Sequence, residues 1–274
     1  MSVILGIDLG SSATKLAALR TGGSAEPLFS FRSGNADRRL PELIGCLLNT
    51  HGFTLRDVDS IVVTGTRAAK AREELAGFPV YEENEFSSIG RGALRLAGVS
   101  RGVAVSLGTG TAFVLADGDT YRHLCGTGIG GGTLTGLCRV LTGTDQFGTI
   151  AELAGAGRLG KVDLTVGDLF GPMPKTLHPS MTVTNFGHLA PDASPADYAA
   201  GVVNLVLQSI GTMSILACQS CGTDTVILTG SLTELPQIQP AYSLFEQLYG
   251  IRFLLPPHAV FATAVGAALT QHRA

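Results

Sequence analysis

Short apolar stretches separated by polar turns fill the first third of the chain. They predict strands at about Val3–Asp8, Thr14–Leu19 and Leu28–Arg32, a helix at about Arg39–Thr50 and a strand at Asp59–Thr64. The last of these is apolar without alternation, which is typical of a parallel strand buried on both faces. A helix at Arg67–Leu75, a short strand near Val80 and a helix at about Asn84–Leu96 follow.

The second half of the chain repeats this order of elements. Strands are predicted at Gly102–Leu107, Ala112–Ala116 and Thr120–Leu124, and a helical region begins near Gly131. A helical, loop-rich insertion is expected at about 147–195, before a long helix at about Ala196–Cys218, a buried strand at Thr225–Thr229, and a final helix, strand and helix. We therefore predict a duplicated α/β protein with domains at residues 1–98 and 99–274.

Two turns rich in glycine and hydroxyl side chains lie at matching places in the two halves. Residues 5–14 read Leu-Gly-Ile-Asp-Leu-Gly-Ser-Ser-Ala-Thr, and residues 105–111 read Val-Ser-Leu-Gly-Thr-Gly-Thr. Glycine lets backbone N–H groups approach a phosphate closely, and Ser and Thr add short donors. The pair resembles the phosphate-binding hairpins of the actin, Hsp70 and sugar kinase superfamily. This resemblance implies a duplicated ribonuclease H-like (actin-like ATPase) fold, with two lobes around an ATP cleft.

Two charged residues beside the first turn are candidates for ligand binding. The carboxylate of Asp8, at the end of the first strand, suits Mg²⁺ or its water shell better than a phosphate. Lys15 supplies a compact positive charge that can reach a phosphoryl oxygen.

Composition excludes several classes of partner. The formal net charge is −3, and no Lys/Arg cluster interleaved with aromatic residues occurs, so we expect no nucleic acid partner. The stretch from Tyr198 to Thr223 has no charged residue, but amides such as Asn204 and Gln208 interrupt it, which favours a buried helix over a membrane span. The chain begins without a recognisable export signal, so we expect a cytoplasmic protein.

The cysteines favour no disulfide framework. There are 5 of them, an odd number for a protein expected to be cytoplasmic. Cys218 and Cys221 form the one suggestive spacing, and a lone pair offers too few ligands for a structural metal site. We interpret them as structural or incidental thiols.

A third glycine block, at residues 126–133, leads directly into an apolar-periodic helix. It concentrates backbone N–H groups and the positive end of a helix dipole at one place, so it is predicted to bind the nucleotide. Residues 122–143 resemble the signature of the type II pantothenate kinases. Asn185-Phe186-Gly187-His188, Ile227–Ser231 and Ala264–Ala267 resemble further blocks of that family, so the resemblance covers essentially the whole chain in order.

The resemblance implies ATP-dependent phosphorylation of pantothenate, the first step of coenzyme A synthesis. It also implies a homodimer through long helices such as Ala196–Cys218, and coenzyme A or an acyl-CoA as a feedback ligand. Mg²⁺ is expected to bridge the β- and γ-phosphates. Phe147 stands where bacterial relatives place a tyrosine near the nucleotide. The implied ATP-binding residues are Asp8, Gly10, Ser11, Ser12, Lys15, Gly108, Thr109, Gly110, Gly131, Gly132, Thr133, Leu134, Thr135, Phe147 and Ser231.

Glu85 is the candidate catalytic base. A carboxylate at a helix start after a short strand can accept the proton of an attacking hydroxyl. The neighbouring acids Glu82 and Glu83 leave the choice open on chemistry alone. The family places its catalytic glutamate seven residues before a glycine of this helix, and Glu85 with Gly92 reproduces that spacing.

The sequence departs from the family at the residue expected to bind substrate. The family carries an arginine four residues before the second residue of the Gly-Thr pair, and counting back from Thr127 gives His123, with Arg122 one residue earlier. Successive strand residues point to opposite faces. Either the strand end is irregular and Arg122 reaches the substrate, or His123 takes the role.

Two other functions share this fold. One is an ATP-driven redox activator of the kind that serves 2-hydroxyacyl-CoA dehydratases, which would need cluster-binding cysteines; Cys125 adjoins the glycine block without an obvious second ligand. The other is a non-catalytic nucleotide-binding relative, suggested by His123.

Overall fold

A computed structural model describes residues 2–21, 27, 29–34, 39–75, 77–169 and 178–272. Its strands are β1 (Val3–Leu9), β2 (Ala13–Arg20), β3 (Phe29–Gly34), β4 (Val58–Thr64), β5 (Val80–Glu82), β6 (Arg101–Leu107), β7 (Thr111–Asp117), β8 (Thr120–Thr127), β9 (Leu164–Thr165), β10 (Thr182–Thr184), β11 (Thr225–Thr229) and β12 (Arg252–Leu254). Its α-helices are α1 (Leu40–Thr50), α2 (Ala68–Glu74), α3 (Glu85–Ala97), α4 (Gly131–Thr142), α5 (Phe147–Ala156), α6 (Val166–Leu169), α7 (Pro195–Cys221), α8 (Ile238–Tyr249) and α9 (Ala262–Ala268).

The described strands form two sheets of the same topology. Sheet 1 has the order β3-β2-β1-β4-β5, and sheet 2 has the order β12-β11-β6-β7-β8. In each sheet, the first three strands along the chain pair antiparallel with their neighbours. The two remaining strands pair in parallel on the other side of the first of these three. The predicted duplication is therefore present in the backbone.

Several predicted boundaries need correction. The third strand is Phe29–Gly34, and the predicted first residue, Leu28, lies outside the described residues. Strand β8 extends three residues beyond the predicted end at Leu124, because residues up to Thr127 still pair with β7. The insertion at 147–195 is not only helical, since β9 and β10 pair within it; its residues 170–177 lie outside the description.

Where the two sheets meet, each sheet is covered by a helix that comes from the other half of the chain. Helix α3, from the first half of the chain, packs on β6, β7 and β8, while α9, from the chain end, packs on β1, β2 and β4. The two helices also pack closely on each other: a Cβ added at Gly92 would overlap the Ala262 carbonyl oxygen, and one added at Gly266 would overlap that of Ser88. Two glycines on facing helices thus permit the backbone contact that joins the two sheets. The domain boundary near residue 98 stays a prediction.

Helix α7 is the one helix in the described part of the chain long and apolar enough to cross a membrane. In the structure, 61% of its most apolar window is buried inside the protein, against α4, α5 and sheet 2. A capping box between Ser194 and Asp197 begins it, and Gly222, at φ 60°, ends it. Burial within the fold explains its apolar composition.

Candidate active site

The turns after β1 and β6 face each other across a cleft of about 510 Å³. The Oγ of Ser12 lies 2.6 Å from the Thr109 Oγ1, and the Oγ of Ser11 lies 2.8 Å from the same atom. Fourteen predicted site residues line this cleft: Asp8, Gly10, Ser11, Ser12, Lys15, Glu85, Gly108, Thr109, Gly110, Gly131, Gly132, Thr135, Phe147 and Ser231. The structure therefore brings together residues that are far apart in sequence.

Asp8 and Lys15 form a buried ion pair at the base of the first turn. They are cross-strand neighbours in β1 and β2, and the Lys15 Nζ lies 3.2 Å from the Asp8 Oδ2. Their side chains are only 7% and 11% exposed, respectively. Each charge therefore stabilises the other in a position where both line the cleft.

Glu85 is placed on this cleft by the start of α3. The Asn84 Oδ1 accepts hydrogen bonds from the N–H groups of Phe86 and Ser87, which caps the helix and directs its first turn to the cleft. Burial, and then the negative charge of Asp8, raise the pKa of Glu85, while Lys15 acts to lower it. Glu85 is thus a carboxylate with increased basicity beside a buried ion pair, as a general base requires.

The first N–H groups of the helix after the glycine block are bonded to the second turn, while Gly131 and Gly132 still line the cleft. Gly131 N–H donates to the Gly108 carbonyl (2.8 Å), and Gly132 N–H donates to the Thr109 carbonyl (2.8 Å). A Cβ at Gly130 would lie 2.6 Å from the Thr109 carbonyl oxygen. The block therefore supports the second turn by direct backbone contact.

Two residues of this helix that were predicted to bind the nucleotide, Thr133 and Leu134, do not line the cleft. The Leu134 side chain is fully buried in the core of sheet 2. The Thr133 Oγ1 donates to the Gly128 carbonyl (2.9 Å), and neither residue is part of the cleft lining.

The two candidates for substrate binding lie on opposite faces of β8. Arg122 points towards α7, with its Nη2 3.8 Å from the Cys221 Sγ. His123 stacks on Phe86, the residue after Glu85, with ring centroids 4.1 Å apart. The pairing of β7 and β8 shifts register between Phe113 and Val114, so the strand is irregular as one alternative supposed. The irregularity nevertheless leaves Arg122 on the face away from α3, so of the two residues it is His123 that lies on the α3 side, in contact with Phe86; neither residue is part of the cleft lining.

Several residues of the site gave no signal in the sequence. Ile89, Ala112 and Thr263 line the cleft, although they belong to segments that read as ordinary core. Ser106 and Gly126 also line it; they lie within the second turn and the third glycine block but were not among the predicted site residues.

Arg67 was also missed. Its Nη2 donates to the Gly10 carbonyl (2.9 Å) and lies 3.2 Å from the Thr14 Oγ1, which fixes the first turn from outside.

The cysteines, all of which lie within the described part of the chain, form neither a disulfide nor a cluster that resembles a metal or redox site. Burial raises the pKa of the Cys218 thiol to about 12, so it is protonated at neutral pH. Within the described residues, no group of three or more His, Cys, Asp or Glu side chains could hold a metal ion.

Comparison with known proteins identifies relatives over the whole length. The model of the Fumble family matches residues 103–270. A type II pantothenate kinase of Bacillus anthracis is 29% identical over 240 residues, covering 84% of this chain and 83% of the relative. One of Oceanobacillus iheyensis is 29% identical over 276 residues, covering 97% and 99%. The predicted resemblance to type II pantothenate kinases is confirmed.

Solved structures support the predicted fold. The activator of the 2-hydroxyisocaproyl-CoA dehydratase from Clostridium difficile, with bound ADPNP, has a TM-score of 0.67 at 16% identity and covers 98% of this chain and 93% of its own. A ROK family glucokinase from Streptomyces griseus, with glucose and AMPPNP, has a TM-score of 0.60 at 12% identity, with coverages of 98% and 99%. At these identities the likeness shows the actin-like ATPase fold alone.

Proposed function

The chain belongs to the Fumble family, and from that membership and the geometry of its cleft we propose that it transfers the γ-phosphoryl group of ATP to the primary hydroxyl of pantothenate. The observation that carries the proposal is the position of Glu85, whose carboxylate shares one cleft with the Asp8–Lys15 pair and both glycine turns. The product is 4′-phosphopantothenate.

In the proposed mechanism, the two turns hold the phosphate chain. The hydroxyls of Ser11, Ser12 and Thr109 exchange their mutual hydrogen bonds for bonds to phosphate oxygens. Gly10 and Gly110 keep the approach free of side chains. Lys15 offers a positive charge to the transferring phosphoryl group.

Asp8 fits a magnesium ion by its chemistry. Mg²⁺ in phosphotransferases keeps several waters and needs only one or two carboxylates beside the substrate phosphates. Asp8 has an oxygen donor of this kind on the cleft, although its present partner is Lys15. When bound, the ion supplies charge neutralisation at the phosphates.

Glu85 performs the proton step. It takes the proton of the acceptor hydroxyl as that oxygen forms a bond to the γ-phosphorus, while the bond between this phosphorus and the bridging oxygen of ADP breaks. Burial of Glu85 favours proton acceptance because it raises its pKa. His123, stacked beside Phe86, is the residue we expect to orient the acceptor in place of Arg122.

A coupled assay of ADP release tests this proposal. Wild type should release ADP in a pantothenate-dependent manner, and Glu85→Gln should lower kcat by about 10²–10⁴-fold. Glu82→Gln is the matched control, because Glu82 is an exposed acid three residues away. Equal activity of Glu85→Gln and Glu82→Gln would refute the assignment of the base.

The redox-activator alternative rests on the fold likeness alone. The relatives named as kinases match at 27–29% identity over most of the chain, which favours phosphoryl transfer. Stoichiometric iron in the purified protein, with ATP hydrolysis that ignores pantothenate, would favour the activator instead. The homodimer, the cytoplasmic location and the coenzyme A feedback ligand stay predictions.

A further inference from the structure

The end of the cleft next to Glu85 has a floor of small side chains from sheet 2. Ser106, Ala112 and Gly126 are direct cross-strand neighbours on β6, β7 and β8, and all three line the cleft. Alternation along the strands puts Ser106 on the same face as Ala104, and Ala112 on the same face as Val114; these two neighbours pack under α3. The floor therefore lies on the α3 side of the sheet, where Glu85 begins the helix.

Two further residues complete this end of the cleft. Ile89 follows Glu85 by four residues and so lies on the same face of α3; it is 1% exposed yet lines the cleft. Thr263 lines it from the first turn of α9 and is 7% exposed. The close glycine contact of α3 with α9 holds Thr263 beside α3.

This end of the cleft combines apolar side chains with two hydroxyl groups. Ile89, Ala112 and Gly126 present a small apolar wall, whereas Ser106 and Thr263 present hydroxyls. Among the described residues, neither hydroxyl has a hydrogen-bond partner in the protein, and neither is one of the unpartnered hydroxyls sealed in the interior, so both are open to the cleft. Such groups are available to a ligand that brings its own donor or acceptor.

We propose that this end of the cleft, formed by Ser106, Thr263, Ile89 and Ala112, recognises the branched diol of the acceptor. The inference rests on the proposed function. In pantothenate the reacting hydroxyl is separated from a second hydroxyl by one carbon that carries two methyl groups. Ser106 and Thr263 hydrogen-bond the second hydroxyl, and Ile89 and Ala112 contact the methyl groups. The site thereby fixes the reacting oxygen against Glu85.

A substrate and variant cycle tests this recognition. Wild type and the double variant Ser106→Ala, Thr263→Val are assayed with pantothenate and with its analogue lacking the second hydroxyl. We expect wild type to prefer pantothenate by about tenfold or more in kcat/KM, because the analogue leaves site hydroxyls unpaired. The double variant should lose most of this preference, with KM for ATP unchanged. Ser100→Ala, an exposed serine away from the cleft, is the control.

A second variant tests the apolar wall without removing a polar group. A Cβ at Gly126 would lie 3.4 Å from the Thr111 carbonyl oxygen and 3.9 Å from the His123 Nε2, so Gly126→Ala fits the fold. The added methyl should narrow the floor and raise KM for pantothenate several-fold, with KM for ATP unchanged.

The outcomes separate this inference from the proposed function. Full discrimination by the double variant, or an unchanged KM for pantothenate in Gly126→Ala, would overturn the recognition site while leaving the kinase assignment standing. No turnover of pantothenate by wild type would overturn both.

Discussion

The Ser12 Oγ lies 2.6 Å from the Thr109 Oγ1, so two residues from opposite halves of the chain are in hydrogen-bond contact at the mouth of the cleft. This contact occupies the space that we assign to the phosphate chain. Nucleotide must therefore replace it with bonds from both hydroxyls to phosphate oxygens.

Removing the Thr109 hydroxyl should weaken nucleotide binding. Hydrogen bonds to charged groups contribute about 1.5–3 kcal/mol, so Thr109→Val should raise the Kd for an ATP analogue by roughly ten- to a hundredfold. Calorimetric titration measures this directly. Thr120→Val, an exposed threonine at the far end of β8, should leave the Kd unchanged; an unchanged Kd in Thr109→Val would contradict the role of the turn.

The Asp8–Lys15 pair should be sensitive to loss of either partner. Lys15→Met leaves a buried carboxylate without its counter-charge, which costs about 3–5 kcal/mol of unfolding free energy. Denaturant titration should show this loss, together with a higher KM for ATP. Asp59→Asn, a strand acid that is exposed and outside the cleft, is the comparison. Equal stability of the two variants would argue against a buried pair.

The pH profile should report the environment of Glu85. Its pKa is raised above the ordinary value of 4.5 by burial and by Asp8, so its proton-accepting form is lost at a higher pH than that of an exposed glutamate. We expect kcat to fall on the acidic side with an apparent pKa above 4.5. An acid limb at or below the ordinary value would contradict a desolvated base.

The same shift predicts the sign of a stability effect. A carboxyl group with a raised folded-state pKa contributes stability below its unfolded pKa, and this contribution is lost as pH rises through the folded pKa. At neutral pH the charge of Glu85 is therefore destabilising. Glu85→Gln should unfold at a higher temperature than wild type at pH 7 while being nearly inactive. A thermal melt that shows Glu85→Gln to be less stable than wild type at pH 7 would refute this reasoning.

The crossing of α3 and α9 should tolerate no added methyl. Gly92→Ala would place a Cβ against the Ala262 carbonyl oxygen, so the helices must separate, at a cost of about 1–3 kcal/mol. Gly45→Ala is the matched control, because a Cβ there meets nothing within 4 Å and alanine favours α1 by about 0.5–1 kcal/mol. Denaturation should thus give opposite signs for the two substitutions. A Gly92→Ala variant as stable as wild type, or more stable, would show that the crossing is not tightly packed.

Much of the fold could be predicted because its determinants are local. Apolar runs gave the strands of both sheets, and Asn84 with the following residues marked the start of α3. The two-residue strand β9 and the three-residue strand β10 were missed, since segments of that length carry no periodic signal.

The residues of the two turns could be predicted from the sequence, whereas the contacts between the two halves of the chain could not. Glycines and hydroxyls identified most of the residues of the two turns that line the cleft. Which of Arg122 and His123 faces α3 could not be predicted without the strand register, which depends on the pairing of β7 with β8. Thr263 was missed because only the packing of α9 against α3 brings it to the cleft. Contacts between distant segments leave no local pattern to recognise.

The most direct test of the central claim is the identity and amount of the product. Purified protein is incubated with ATP, Mg²⁺ and pantothenate, and 4′-phosphopantothenate and ADP are quantified by mass spectrometry. We predict equimolar amounts of both, and very little of either product with Glu85→Gln. ADP formation without phosphorylated pantothenate, at a rate independent of added pantothenate, would contradict the account.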